Sequence, residues 1–364
     1  MLSGSCVTKF MPEISENIAM IVVDGLITDQ AQPDTIKLYN SIPLGDKDRI
    51  IPVKGCTVLI EDDHGNVYYL NEIPGGKYIT DPAEFQGMVG LKYTLKIFTN
   101  STSDYNYSYQ SYPMEMKPVP PINDLFYEKT LIEEESVGVS GKEGCHIYLN
   151  TYDASNNCRF FKWDYKETWQ IHLPFDIINK TCWVSNKSDI ISVKNTTLLS
   201  ENRIEKHPLL AISNETDRLA IKYSILVNQY SINEDEFIYW NKIKDATENV
   251  GSLYDVTPSS IRGNMFCVED PDQVVLGYFS VSAKSSKRLF IKDNFSGLVN
   301  KLPDCIDSET TSSVPPPYLN KLIWIIISCG RCIPPLFAYT YDQACADCTM
   351  RGTNIEPDFW VDNK

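Results

Sequence analysis

A period-two alternation of apolar and polar residues is the feature of this chain that most restricts its fold. Residues 35–39 and 56–60 alternate in this way, and similar short runs recur over residues 18–113. Because successive residues of a strand face opposite sides of a sheet, each run predicts a strand with one buried face. The turn residues 62–66 (DDHGN) separate two such runs as a hairpin loop. About seven short strands at this spacing predict an immunoglobulin- or transthyretin-like β-sandwich.

A group of prolines marks the boundary between two regions. Residues 117–121 (KPVPP) hold three prolines in four positions, which suits a stiff extended connector and fits no central strand. We therefore expect four parts in chain order: an N-terminal tether (1–17), a β-sandwich domain (18–116), a proline-rich linker (117–121) and a larger β domain (122–364).

The larger domain is predicted to be mainly β, with one helix and a cysteine-rich tail. Residues 144–152 and 158–163 are strand-like and flank turn residues 153–157, which predicts a hairpin. Ser231 and Glu234 have the spacing of a helix capping box. Apolar residues then follow at helical spacing, namely Phe237, Trp240 and Ile243.

The charge balance excludes one class of partner. The net charge is −15 with a sequence pI near 4.8, and no run of Lys or Arg reaches four residues. Phosphate backbones attract basic patches, so we expect no nucleic-acid partner. Hydrophobic content of 43% and charged content of 22% are typical of a globular chain.

Membrane attachment, if present, must be covalent. The longest apolar run, residues 322–327, is far shorter than the roughly 20 residues needed to cross a bilayer, so it is interpreted as a buried strand. Cys6 follows the small residues Ser3, Gly4 and Ser5, which resemble the end of a secretory signal. A cysteine directly after such a cleavage point is where bacteria attach lipid. Cys6 is therefore a candidate lipidation site, with an ordinary thiol near the N-terminus as the alternative.

The cysteine count favours disulfides. Eleven cysteines leave an even ten if Cys6 carries lipid, as in an exported chain with paired cysteines. The disulfide candidates are Cys182, Cys267, Cys305, Cys329, Cys332, Cys345 and Cys348, with Cys182 and Cys267 suggested as partners. The last four form two CxxC pairs, for which tetrahedral zinc and redox activity are the alternatives. Their spacer of twelve residues is short for zinc, so we expect disulfides, no metal and no cofactor.

The search for catalytic residues yields no motif. The four histidines lie outside any HExxH pattern, and no GxSxG, Walker or GxGxxG pattern occurs. A glycosidase needs only two facing carboxylates, and no Asp or Glu is singled out by its sequence position. The acids of residues 62–66 suggest a calcium loop as an alternative to the hairpin turn, but a distal Glu is missing. We therefore make no assignment of an enzyme.

Four tyrosines near the end of the first domain are the binding candidates. Tyr105, Tyr107 and Tyr109 alternate onto one face of a strand, and Tyr112 follows just before the proline-rich linker. Such a face could stack on sugars or contact a protein. The alternative is that these rings form one side of the sandwich core.

Several short motifs together resemble one family. They lie at residues 21–30 (IVVDGLITDQ), 118–122 (PVPPI), 159–169 (RFFKWDYKETW), 223–231 (YSILVNQYS), 251–255 (GSLYD), 262–267 (RGNMFC), 276–280 (LGYFS) and 352–360 (GTNIEPDFW). The chain resembles the Bacteroidota outer-membrane lipoproteins catalogued as domain-of-unknown-function family 4249. The resemblance runs from about residue 6 to residue 360.

The resemblance implies a location and a partner. It implies a removed signal peptide, lipidation matched here by Cys6, and an outer-membrane, surface-exposed location. It also implies a SusC-like TonB-dependent transporter as partner, for which the chain would be an accessory or ligand-capturing subunit, with a lipid anchor as its only membrane attachment. The alternatives are a hydrolase of surface glycan or peptide and a structural subunit of an envelope complex. The family implies no catalytic residues.

Overall fold

The computed structural model describes residues 20–41, 51–99, 107–132, 142–173, 179–213, 215–248, 261–296, 323–327, 336–340, 343–345 and 347–360. The strands before residue 118 are β1 (Ile21–Thr28), β2 (Thr35–Asn40), β3 (Ile51–Pro52), β4 (Thr57–Asp62), β5 (Val67–Tyr69), β6 (Asn71–Ile73), β7 (Lys77–Ile79), β8 (Lys92–Phe98), β9 (Ser108–Ser111) and β10 (Met114–Glu115).

Longer strands and one helix follow. The strands up to the helix are β11 (Ile122–Ile132), β12 (Lys142–Tyr152), β13 (Phe160–His172), β14 (Thr181–Lys187), β15 (Ser192–Asn195), β16 (Arg203–Ile212) and β17 (Tyr223–Ser231). The helix α1 (Glu234–Glu248) precedes β18 (Met265–Cys267), β19 (Leu276–Ser282), β20 (Lys284–Ile291), β21 (Ile323–Ile327) and β22 (Leu336–Thr340). The prediction of a mainly β fold with one helix is confirmed for the part of the chain described.

The chain divides into two compact units. The first contains Met1–Lys117 and Ile232–Ala283, and the second contains Pro118–Ser231 and Lys284–Lys364. The structure thus corrects the assignment of residues 232–283 to the second domain. The reason is strand pairing, since β19 lies beside β1 and β18 lies beside β9.

Two six-stranded sheets build the β-sandwich of the first unit. Sheet A has the order β19-β1-β2-β7-β6 with β3 beside β2, and sheet B has the order β18-β9-β8-β4-β5 with β10 beside β8. The predicted alternation is visible in β8, where Tyr93, Leu95 and Ile97 are buried and the residues between them are more exposed. The predicted hairpin turn joins β4 to β5, with Gly65 at a φ of 85°.

The two glycines of the motifs at 262–267 and 276–280 meet in this unit. Gly277 has a φ of 87°, and a Cβ there would lie 2.0 Å from the Val23 carbonyl oxygen. A Cβ on Gly263 would lie 1.6 Å from the Gly277 carbonyl oxygen. Only glycine permits this backbone approach beside the parallel pairing of β1 and β19.

The second unit is also built from two main sheets around one core. Sheet C has the order β11-β12-β16, and sheet D has the order β14-β13-β17-β20 with β15 beside β13. Their buried residues form one hydrophobic cluster, which includes Ile147 and Leu149 from sheet C and Trp163 and Ile225 from sheet D. The strands β12 and β13 pair with different partners, so the predicted hairpin around residues 153–157 is wrong and this turn leads from one sheet to the other.

The helix begins at Glu234, which corrects the predicted capping box. Ser231 is the last residue of β17 and is paired with Phe161, so it does not cap the helix. Asn233 precedes the first helical residue, and its backbone carbonyl accepts from the Phe237 N–H. The helix buries Glu236 and Tyr239, whereas Phe237, Trp240 and Ile243, the residues at helical spacing, are half-buried.

Candidate functional site

The structure separates the four tyrosines of the binding hypothesis. Tyr105 lies outside the described residues. Tyr109 is 5% exposed and is paired with Ile97 and Cys267, so its ring belongs to the core. Burial raises the pKa of Tyr109 to about 12. Tyr107 is half-buried, and Tyr112 is 59% exposed.

Tyr112 is part of an exposed apolar surface on the outer face of sheet B. Its ring centroid lies 5.2 Å from that of Phe266, on β18. The Val268 N–H donates to the Ser108 carbonyl, and Ser108 is in turn paired with Phe98 on β8. Val268 is 51% exposed and Phe98 is 40% exposed. We call Phe98, Tyr112, Phe266 and Val268 the aromatic patch.

Three members of the patch, Phe98, Phe266 and Val268, are not among the predicted binding residues. Phe266 and Val268 join Tyr112 because β18 pairs with β9, more than 150 residues earlier in the chain. The motif at 262–267 holds Phe266, but nothing local shows which strand it lies beside. The pairing of two strands so far apart in the chain cannot be predicted from a local sequence pattern.

Charged groups border the aromatic patch. Glu269 accepts a hydrogen bond from the Ser108 N–H at 2.7 Å, and this bond lowers the pKa of the Glu269 carboxyl. Lys96 and Glu61 form an ion pair across neighbouring strands of sheet B. Apolar side chains with charged groups beside them are a usual feature of protein interfaces.

The buried carboxylates of the described residues are engaged by protein donors. Asp62 accepts from the backbone N–H groups of His64 and Asn66, from the Asn66 amide and from the Tyr68 hydroxyl. These contacts use both carboxylate oxygens, so Asp62 stabilises the hairpin turn. The first acid of the alternative calcium loop is therefore engaged by the protein itself. The other buried acids also accept hydrogen bonds, namely Asp34, Asp153, Glu167, Asp217 and Glu236.

Glu167 and Asp217 anchor an ionic network in the second unit. Glu167 accepts from the Tyr223 hydroxyl at 2.7 Å and from Arg218 at 3.1 Å. Asp217 accepts from the indole N–H of Trp169 at 3.0 Å and from Arg351 at 2.5 Å. Because each buried charge has a partner, the geometry of this network is that of a structural clamp.

The cysteines are paired differently from the sequence-based suggestion. Cys182 forms a disulfide with Cys348, so the pairing of Cys182 with Cys267 is wrong. Cys267 is a buried thiol on β18, in the other unit, and Cys56 and Cys145 are thiols as well. The assignment of Cys267 as a disulfide candidate is therefore wrong.

The predicted disulfides of the tail are present where the structure describes them. Cys345 and Cys348 are both disulfide-bonded, which removes two of the four thiolates that tetrahedral zinc requires. Cys305, Cys329 and Cys332 lie outside the described residues, as does Cys6. Within the described ranges there is no group of three or more His, Cys, Asp or Glu side chains placed to hold a metal ion.

The last described segment, residues 347–360, wraps around the edge of sheet D, and we call it the tail segment. It begins at the disulfide to Cys182. Thr353 then exchanges backbone hydrogen bonds with Trp183 on the edge strand β14, at 2.8 and 3.0 Å. Trp360 ends the segment, packed against Trp183 and Phe290.

A comparison with protein families identifies the family to which the chain belongs. A family model described as a domain of unknown function (DUF4249) matches residues 7–288, which is more than half of the chain. The protein belongs to this family. No curated protein matches the chain. Among the described residues, no helix is long and apolar enough to cross a membrane.

Proposed function

We propose that this protein is a lipid-anchored accessory subunit of a SusC-like TonB-dependent transporter on the outer membrane. The observation that carries the proposal is the aromatic patch, which is the surface that contacts the transporter. Tyr112 and Val268 are each more than half exposed, although they adjoin the core strand that holds Tyr109. Exposed apolar side chains grouped on one face of a sheet are typical of interaction sites.

The physical properties of the patch suit a stable contact. Tyr and Phe bury a large area while ordering few rotatable bonds, so they lose little conformational entropy on binding. The strands below fix the positions of these side chains, since Phe266 is paired with Gln110 and Phe98 with Ser108. Such a surface is preorganised, so it loses little conformational entropy when a partner binds.

Two further observations support the proposed location. The Cys182–Cys348 disulfide suits a chain that folds in an oxidising compartment, as exported bacterial proteins do. Membership of the family is consistent with the resemblance to outer-membrane lipoproteins described above. In this proposal Cys6 carries the lipid and is the sole attachment to the membrane.

Co-purification from the native membrane tests the proposal. The tagged full chain is isolated from detergent-solubilised outer membranes, and its partners are identified by mass spectrometry. We expect a TonB-dependent transporter at near-equal amount. The double variant Tyr112→Ser, Val268→Ser should lose the transporter while its melting temperature stays nearly unchanged, because both side chains are exposed.

Tyr69→Ser is the matched control. Tyr69 is 63% exposed on β5, at the opposite edge of the same sheet, so its loss should leave the transporter bound. A patch variant that still carries the transporter would refute the assignment of this surface. Absence of any TonB-dependent transporter from the unmodified protein would refute the proposed function.

A further inference from the structure

The outer face of sheet D is basic, in a protein that is strongly acidic. The core-facing side of this sheet holds Trp163, Tyr165 and Trp169 of β13, so residues of even number on β13 face outward. The pairing register then places five cations on the outer face: Lys162, Lys166, Lys187, Lys284 and Arg288. We call these the basic face.

One acid accompanies these five cations on the strands of the outer face. Asp164 accepts from the Asn228 amide at 2.6 Å and from the Tyr230 hydroxyl at 3.0 Å. The whole chain has 48 acidic and 33 basic residues, so this face departs strongly from the average. The excess positive charge here is local, and at about 0.15 M salt it is screened from acids more than about 8 Å away.

Two of the cations lie directly opposite one another. Lys166 on β13 is paired with Lys187 on β14, and both side chains are exposed. Like charges opposite each other on neighbouring strands destabilise a sheet. The same row continues through Leu226 to Arg288 on β20. A bound anion would relieve the repulsion that the pairing of Lys166 and Lys187 creates.

The spacing of the cations suits an extended ligand. Lys162 and Lys166 are four residues apart on β13, and Lys284 and Arg288 are four apart on β20, which corresponds to about 13 Å along each strand. The register links these pairs into two rows, since Lys162 and Lys284 both pair with Tyr230. A flat surface with rows of charge fits a linear polyanion better than a compact anion.

The tail segment bounds one end of the basic face. The Arg288 guanidinium lies 3.6 Å from the centre of the Phe359 ring, and the Lys222 ammonium lies about equally far from Phe290 and Trp360, at 5.0 and 5.1 Å. Aromatic rings therefore engage the cations at this end. The open part of the face is centred on Lys166 and Lys187.

The chemistry between the cations distinguishes the classes of ligand. None of the described residues on this face is an exposed large apolar side chain, so the face has nothing to insert into a bilayer and no apolar centre for a protein interface. Polar side chains lie there instead, among them exposed Ser185 and Ser286 and half-buried Gln170. Cations interspersed with hydroxyl and amide groups match a ligand rich in both carboxylates and hydroxyls.

We infer that the basic face binds a linear acidic polysaccharide, with Lys166 and Lys187 as its central contacts. The site lies on the second unit and does not depend on the transporter contact. Alginate, a linear polyuronate, is the probe, and dextran is the neutral control. The unmodified protein should bind alginate and not dextran, and its affinity for alginate should fall as salt is raised.

The test variant is Lys166→Ser, Lys187→Ser, whose dissociation constant for alginate should rise about tenfold or more. The control variant Lys77→Ser, Lys92→Ser removes the same charge from exposed positions of the first unit and should bind as the unmodified protein does. An equal loss in both variants would show a net-charge effect and overturn the inference. Binding to phosphatidylglycerol vesicles or duplex DNA without binding to alginate would overturn it as well.

Discussion

Cys182 and Cys348 are joined by a disulfide across 166 positions of sequence, with their Cα atoms 5.7 Å apart. The bond ties the edge strand β14 to the start of the tail segment, and both cysteines are fully buried. Two other contacts of the tail segment lie close to this bond in the chain. Arg351 binds Asp217 and Thr353 pairs with Trp183, and both residues follow Cys348 within five positions.

Removal of this disulfide should destabilise the second unit. We expect Cys182→Ser to lower the free energy of unfolding by about 2–5 kcal/mol, because the bond restricts the unfolded chain over a long loop. Denaturant unfolding without reductant measures this. Cys348→Ser should cost a similar amount, and the double variant little more than either alone. Cys56→Ser, at a partly exposed thiol, is the control and should change little.

Gly277→Ala should be more damaging than an alanine at an ordinary glycine. The added Cβ would lie 2.0 Å from the Val23 carbonyl oxygen, so the β1–β19 pairing must shift, and we expect a loss of about 3 kcal/mol or more. Gly65→Ala is the control, since Gly65 has nearly the same φ of 85° and open space around its Cβ position. Its cost should be about 1–2 kcal/mol. Equal losses in the two variants would contradict the role given to the contact with Val23.

The Asp62 carboxylate should make stability depend on pH in the acid range. Burial alone would raise the pKa of Asp62, but hydrogen bonds from Asn66, His64 and Tyr68 outweigh it and lower the pKa below 3.8. A lowered native pKa means that the stabilisation is complete above the unfolded value and is lost as pH falls through the native value. Asp62→Asn should therefore be less stable than the unmodified protein at pH 7, and the difference should shrink as pH falls below about 4. Thermal unfolding across this range measures it, and a difference that stays constant would contradict the prediction.

The purified protein should contain no stoichiometric zinc. Cys345 and Cys348 are oxidised, so the two CxxC pairs cannot supply four thiolates to one ion. Metal analysis of protein isolated without chelator, combined with thiol titration, checks this. One zinc per chain together with free thiols at both positions would show that the native protein holds a metal there instead.

Lipidation at Cys6 remains a prediction, and fractionation tests it. When the protein is expressed with a full signal peptide, it should be found in the membrane fraction, because two or more acyl chains give stable anchoring. Cys6→Ser should move the protein to the soluble fraction. Cys267→Ser should leave its location unchanged, since that side chain is buried on β18. Membrane retention of Cys6→Ser would refute the lipid anchor.

The local features of the fold could be predicted from the sequence. The alternation that marks β8, the turn at Gly65 and the helix near residue 234 depend on neighbouring residues, and all three are present. The N-terminus of the helix was misplaced because Ser231 fits a capping box while its pairing with Phe161 makes it part of β17. A long-range pairing overrides a local motif in this case.

The errors in the predicted site have the same origin. Tyr109 and Tyr112 look alike in sequence, yet pairing with Ile97 buries the first, while the second remains exposed beside Phe266. Cys267 was suggested as the partner of Cys182, but pairing with Tyr109 places it in the other unit. Spacing along the chain does not determine which strands become neighbours, so the aromatic patch and the basic face required the sheet register.

The parallel pairing of β1 with β19 also sets an order of events during folding. Val22 pairs with Leu276 and Thr28 with Ser282, while all the strands from β11 to β17 lie between them in the chain. During synthesis the N-terminal part of the chain emerges first. The strand β1 is therefore available long before β19, with which it pairs. One edge of sheet A stays unpaired until residue 282 has emerged. Contacts between residues so far apart in the chain also form slowly. An interruption of synthesis or export before that residue would leave the first unit with an unpaired, aggregation-prone edge.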